Sequence, residues 1–240
     1  VLHLSVLIET MRREGYEFSL SKPRVILKEE AGVVLEPLER VHIEVPQEFS
    51  GAVIEELSKR RGELQFLDTD EHGIANIDFL IPTRGLMGYR SQFLTMTKGL
   101  GILTAIFENF SPWKGQVPGR PRGVLISNSS GKTTAYACFN LQERGTLFIH
   151  PGDEVYEGMI VGANSRDNDL VVNVTKGKQL TNVRASGADE NIILTPPLLM
   201  TLEQAINYIQ EDELIEVTPD AIRLRKCGLT EADRKKSAKS

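Results

Sequence analysis

Gly131-Lys132-Thr133-Thr134 has the ending of a phosphate-gripping loop, in which a lysine meets phosphate oxygens and a hydroxyl meets magnesium. The full pattern needs a glycine five positions before Gly131, where Ile126 stands. It also needs a helix next, whereas residues 133–139 read as a strand, so a polar turn between strands is the expectation. Asp68, Asp70 and Glu71 could pair as carboxylates or hold a metal. Acidic residues are routine in a hairpin turn, however, and no histidine ligand pattern joins these three. Cys138 lies among apolar neighbours, the setting of an inert core thiol rather than a nucleophile. Asp153 and Glu154 beside His150 are ordinary turn chemistry. No catalytic or metal site emerges from these groups.

Positive charge is what the chain does concentrate. Between residues 79 and 142 a single acid, Glu108, faces seven bases: Arg84, Arg90, Lys98, Lys114, Arg120, Arg122 and Lys132. That window is net +6 in a chain of net −5, leaving −11 for the remainder. A second run, residues 176–188, has Lys176, Lys178 and Arg184 and no acid. Phosphate-backbone binding needs local fields of this kind rather than a basic pI for the whole chain. Either cluster taken alone reads first as solvated surface charge that happens to gather.

The 240 residues suffice for one large domain or two ordinary ones, and 40% hydrophobic with 25% charged content fits a chain with a buried core. The two cysteines and four histidines stand in no metal, redox or disulfide spacing. No apolar run reaches spanning length and no signal segment is present, so a cytoplasmic protein is expected.

The elements that must position the charges follow from periodicity. Leu4, Leu7, Ile8 and Met11 keep a helical period that Gly15 ends; residues 18–20 and 24–27 read as extended. This opening, without an initiator Met, has the look of the tail of a domain begun upstream, so a fragment is expected. Val41, Ile43 and Val45 alternate as a strand closed by Pro46, and a helix from about Ser50 carries Val53, Ile54 and Leu57 before Gly62. Strands at Leu64 and Phe66 and at residues 75–81 follow. Next come a helix with Leu86, Tyr89 and Phe93 and a strand at 102–107. The order β-α-β-β-α-β is ferredoxin-like. After Pro112 many short strands predict a mainly β, barrel-like domain with one or two short helices, an α+β chain overall. Thr201-Leu202-Glu203-Gln204 is a capping box opening a helix, residues 214–217 and 221–225 form a last hairpin, and the basic end is expected to be a disordered tail. Residues 175–191 form a polar loop without periodicity, a length that is commonly functional or mobile.

Glu36-Pro37-Leu38-Glu39-Arg40-Val41-His42-Ile43-Glu44-Val45-Pro46 with Lys59-Arg60-Arg61-Gly62 resembles the fifth domain of ribosomal translocation factors of the elongation factor G type. The helix around His3-Leu4 and Lys22-Pro23 resemble the end of their third domain. Arg84-Gly85-Leu86-Met87-Gly88-Tyr89-Arg90, Lys178-Gln179-Leu180-Thr181-Asn182-Val183-Arg184-Ala185-Ser186-Gly187, and residues 201–204 leading to Asp212-Glu213 are more particular. Together they resemble the BipA (TypA) family of bacterial translational GTPases across essentially the whole chain. The resemblance implies residues 1–34 as the end of a third-domain module, 35–110 as a fifth-domain ferredoxin fold, 111–227 as a family-specific C-terminal domain and 228–240 as a basic tail.

It further implies a ribosome-bound factor linked to stress adaptation and large-subunit assembly, contacting ribosomal RNA and the tRNA acceptor end. On that reading Lys176, Lys178 and Arg184 meet phosphates, and Gln179, Thr181 and Asn182 hydrogen-bond RNA. Arg84, Arg90, Lys114, Arg120 and Arg122 are possible further ribosome contacts. No cofactor is expected in this chain, GTP and Mg²⁺ belonging to a separate nucleotide domain; a monomer with no DNA or membrane partner is expected. The alternative is a regulatory protein-interaction or small-ligand module without a nucleic-acid role.

Overall fold

The computed structural model describes residues 2–177 and 193–237. The chain divides into two compact units, Pro23–Gly119 and a second made of Val1–Lys22 with Arg120–Ser240. Helix α1 (Leu2–Arg13) and strand β1 (Phe18–Ser21) belong to the second unit.

The Pro23–Gly119 unit holds β2 (Lys28–Glu30), β3 (Val33–Pro46), α2 (Gln47–Lys59), β4 (Glu63–Thr69), β5 (Ile74–Pro82), α3 (Thr83–Leu86), α4 (Tyr89–Met96) and β6 (Ile102–Pro112). Strands β6, β3, β5 and β4 lie side by side, all antiparallel, which is the ferredoxin-like order; β2 adds to the start of β3. Alternation does the work. Val41, Ile43 and Val45 are fully buried with Ala75, Ile77 and Phe79 of β5 against Val53 and Leu57 of α2 and Phe93 of α4. Each of these side chains larger than Ala75 contributes about 1.5–3 kcal/mol on leaving water. Helix α2 stops at Arg61, whose φ is 69°, and at Gly62, where a Cβ would stand 2.8 Å from the Leu57 carbonyl oxygen. The helix expected through Leu86, Tyr89 and Phe93 is two helices, broken at Gly88 with φ 73°. Residues 24–27, expected to be extended, carry no strand; pairing starts at Lys28.

The other unit adds β7 (Val124–Ser127), β8 (Gly131–Lys132), α5 (Ala135–Leu141), β9 (Gly145–Leu147), β10 (Glu154–Val155), β11 (Met159–Asn164), β12 (Leu170–Val172), α6 (Leu202–Tyr208), β13 (Glu213–Val217), β14 (Ile222–Lys226) and α7 (Glu231–Ser237). Its main sheet runs β1-β13-β14-β11-β7-β12, with β9 also on β11 and only β7 and β12 parallel. The sheet is open at β1 and β12 rather than closed into a barrel. Strand β7 is apolar at three successive positions because both of its faces are covered. Val124 and Ile126 pack with Ile8, Leu202, Ile206 and Ile209, while Leu125 packs with Cys138, Leu147 and Val161.

Two expectations are corrected here. Residues 133–139 are not a strand: α5 starts after Thr134, whose Oγ1 accepts from the Ala137 N–H at 3.1 Å, and buries Ala137 and Cys138. The basic end is helical rather than disordered over Glu231–Ser237, capped by Thr230, whose Oγ1 accepts from the Asp233 N–H at 3.2 Å. The capping box at Thr201 and Gln204 forms as its sequence predicts.

Candidate nucleic-acid interface

Helix α5 organises the polar segment. At its start Thr134 donates from its N–H to the Val174 carbonyl at 3.1 Å and from Oγ1 to the Lys176 carbonyl at 2.6 Å. Asn173 Oδ1 receives the Thr175 N–H at 3.0 Å, and the Thr175 and Ser129 hydroxyls lie 3.1 Å apart. Past its other end Gln142 donates from Nε2 to the Ile193 carbonyl at 3.3 Å and accepts the Thr195 N–H at 2.9 Å. One short helix therefore grips both feet of the segment, and Lys176 is left exposed at the first foot. Lys178, Gln179, Thr181, Asn182 and Arg184 lie outside the described residues. The signal for this clamp was present as a threonine before Ala135, an N-cap residue masked by the β-rich reading of the run.

The charge window is more committed than its composition implies. Arg84 pairs with the fully buried Glu36, with Nη2 to Oε1 at 3.0 Å, donates to the Gly115 carbonyl and lies 3.7 Å from the Trp113 ring centre. Lys114 Nζ pairs with Glu63 at 2.8 Å. Arg120 makes two bonds to buried Glu213, at 2.9 and 3.1 Å, and packs on the Tyr208 ring. Burial alone would raise the Glu213 pKa, but Arg120 and then Lys226 hold it below the ordinary carboxylate range. Glu108, the window's acid, is held by Arg40 at 2.8 Å. Of the five arginines and lysines expected as additional contacts, Arg84, Lys114 and Arg120 are thus tied into ion pairs, while Arg90 and Arg122 are exposed.

The groups weighed for catalysis do not converge. Asp70 Oδ1 accepts the His72 and Ile74 N–H groups at 2.9 and 2.8 Å, and Asp153 accepts the His150 N–H at 2.7 Å, both turn-closing roles. Burial pushes the Cys138 thiol above its ordinary pKa. Lys132 sits in the β8–β10 ribbon opposite Glu154. Among the described residues no group of three or more His, Cys, Asp or Glu could hold a metal ion, and no helix is long and apolar enough to cross a membrane.

Residues 33–121 match the elongation factor G C-terminus, so the class defined first is that of chains carrying a domain of this type. Residues 122–231 match the TypA/BipA C-terminal domain. The chain is 52% identical over 237 residues to the large ribosomal subunit assembly factor BipA of Escherichia coli K12, covering 98% of this chain and 39% of that protein. The Bacillus subtilis protein of the same description is 50% identical over 239 residues, 99% of this chain and 39% of that one. The chain belongs to the TypA/BipA family. It spans about two-fifths of the length of these curated relatives.

Proposed function

We propose that this chain is the ribosome-facing portion of a cytoplasmic translational GTPase of the family, acting in large-subunit assembly. In this reading it binds ribosomal RNA and the tRNA acceptor end through the segment that starts at Lys176. The observation that carries the reading is the two-footed attachment of that segment to α5. A base holding a stretch whose residues 176–188 are basic and free of acid, ahead of Asp189 and Glu190, suits a probe that must reach RNA phosphates and 2′-hydroxyls. GTP and Mg²⁺ chemistry is assigned, within the same proposal, to the part of the relatives beyond the aligned region.

Co-sedimentation with ribosomes across a salt series tests it. Binding should fall steeply with salt, and Lys176→Ala, Lys178→Ala and Arg184→Ala should each weaken it, while thermal stability stays within about 0.5 kcal/mol, as for exposed changes. Salt-insensitive binding, or variants that bind normally, would overturn the reading.

A further inference from the structure

Two adjoining depressions, of about 390 and 300 Å³, open beside the second foot of the segment and share Glu143, Asn164 and Ser165 on their walls. Arg144 and Arg166 line the first, and Arg122 lines the second, together with Thr195. Backbone bonds fix this convergence. The Ser165 N–H donates to the Arg144 carbonyl at 2.8 Å, the Gly123 N–H to the Arg166 carbonyl at 2.9 Å, and the Asn164 N–H to the Gly123 carbonyl at 2.9 Å. Three stretches distant in sequence therefore each bring an arginine to the walls of these adjoining depressions. Their approach is close enough to require glycine: a Cβ at 145 would meet the Ala163 carbonyl oxygen at 1.9 Å, and one at 123 the Asn168 oxygen at 2.1 Å.

These arginines differ from those described above. Arg84 and Arg120 are held by buried carboxylates, whereas Arg122, Arg144 and Arg166 are exposed, and among the described residues their guanidinium groups have no ion-pair or hydrogen-bond partner. Among the described residues the one carboxylate on the walls is Glu143. Nearby Asp169 is already occupied, accepting the Val124 N–H at 2.9 Å and pairing with Lys226 at 2.7 Å. Among the described residues, three guanidinium groups without an acid partner against one carboxylate leave a positive hollow, its walls steadied by the Asn164 amide, which donates to the Asn168 carbonyl at 2.6 Å, and by Gln142, already bonded to Ile193 and Thr195.

We propose that this double hollow binds consecutive phosphates of an RNA backbone. Guanidinium forks match phosphate oxygens in pairs. Among the described residues no aromatic side chain lines either depression to offer a platform for stacking a base, and the contact takes backbone independent of sequence. A free nucleotide would need a slot for its base, which these walls lack. The inference rests on the RNA-binding reading above and extends it: a strand held by the segment passes its second foot and continues over Arg122, Arg144 and Arg166.

The test is fluorescence anisotropy of the full chain with a labelled RNA hairpin bearing a single-stranded 3′ tail, from 50 to 200 mM salt. Three phosphate contacts contribute about 0.7–0.9 each to the log–log salt slope. The combined Arg122→Gln, Arg144→Gln, Arg166→Gln variant should therefore flatten the slope by about 2 to 3, equally for unrelated RNA sequences. The matching lysine variant should retain most of the slope, and circular dichroism should show the same melting for both. An unchanged slope in the glutamine variant, with binding still lost on Lys178→Ala, would overturn the hollow and leave the segment reading standing. If the parent chain binds no RNA, the segment reading falls. The backbone proposal falls with it; where RNA does bind, saturable heat with inorganic triphosphate that the glutamine variant loses supports the hollow, and no heat overturns it. Triphosphate bound far more tightly than RNA would overturn the backbone as its source.

Discussion

Replacing Glu213 by alanine should destabilise the unit of residues 1–22 and 120–240 by about 3 kcal/mol. The side chain is fully buried and takes two bonds from Arg120, one from Lys226 at 3.0 Å and one from the Gln210 N–H at 3.0 Å. Removing one partner of a buried pair costs about 3–5 kcal/mol, because a charge is left without compensation. The lower end applies here. Lys226 would keep Asp169 at 2.7 Å and Asp212 at 2.8 Å, whereas Arg120 would keep only carbonyl acceptors and the Tyr208 ring. Replacing both partners, Arg120→Met with Glu213→Leu, should cost much less than the single change, since apolar groups of similar volume often substitute for a buried pair without loss. The measurement is urea unfolding read by hydrogen exchange of the 213–226 amides, because Trp113 lies in the other unit. The sign with pH is fixed by the depressed Glu213 pKa: its stabilisation is present above the unfolded carboxylate range and is lost as pH falls through the folded value. The gap between parent and variant should therefore narrow in acid. A loss below about 1 kcal/mol, or a gap indifferent to acid, would refute the argument.

Three more outcomes are expected. The His42 imidazole, hydrogen-bonded by Asp78 at 2.7 Å, is held above its ordinary pKa, so its stabilisation is full below about pH 6.5 and is lost as pH rises through the raised value. Asp78→Asn should lower its NMR titration midpoint, and an unmoved midpoint would contradict the assignment. Gly123→Ala places a Cβ 2.1 Å from the Asn168 oxygen and should lower stability by more than about 2 kcal/mol in thermal denaturation; a neutral variant would show that the turn yields. Thr134→Val removes the α5 cap and the Lys176 carbonyl bond, with an expected loss of about 1 kcal/mol and faster exchange at residues 175–177. Unchanged exchange there would mean that α5 does not anchor the segment.

Where side-chain period and burial coincide, the sequence was legible. Val41, Ile43 and Val45 alternate because the sheet has a single covered face, and that period identifies the strand without any tertiary knowledge. It fails at residues 133–139, where Thr, Tyr, Cys and Phe favour a strand locally. The capping hydroxyl of Thr134 and the burial of Ala137 and of Cys138, which clusters with Leu125 of β7 and Val161 of β11, decide for helix. The pairing of β1 with β13 has no local signature at all, since its partners are about two hundred residues apart. Near the end of the sequence Thr230-Glu231-Ala232-Asp233 was a readable cap, overshadowed by the run of bases after it.

Charge was the least legible quantity, for a reason that bears on the site. Counting bases in a window measures where cations enter the chain, whereas a binding field depends on which acids fold back onto them. Glu36 is 48 positions from Arg84, and Glu213 is 93 from Arg120; both acids lie outside the window that made it look so positive. Arg144 and Arg166, flanked in sequence by Glu143 and Asp167, looked neutral by the same count. Yet their side chains find no acid partner among the described residues, and β9, β11 and the turn at Gly123 carry them to one rim. The cations available to an anionic ligand are those left after native pairing, and that remainder is set by strand register rather than by composition.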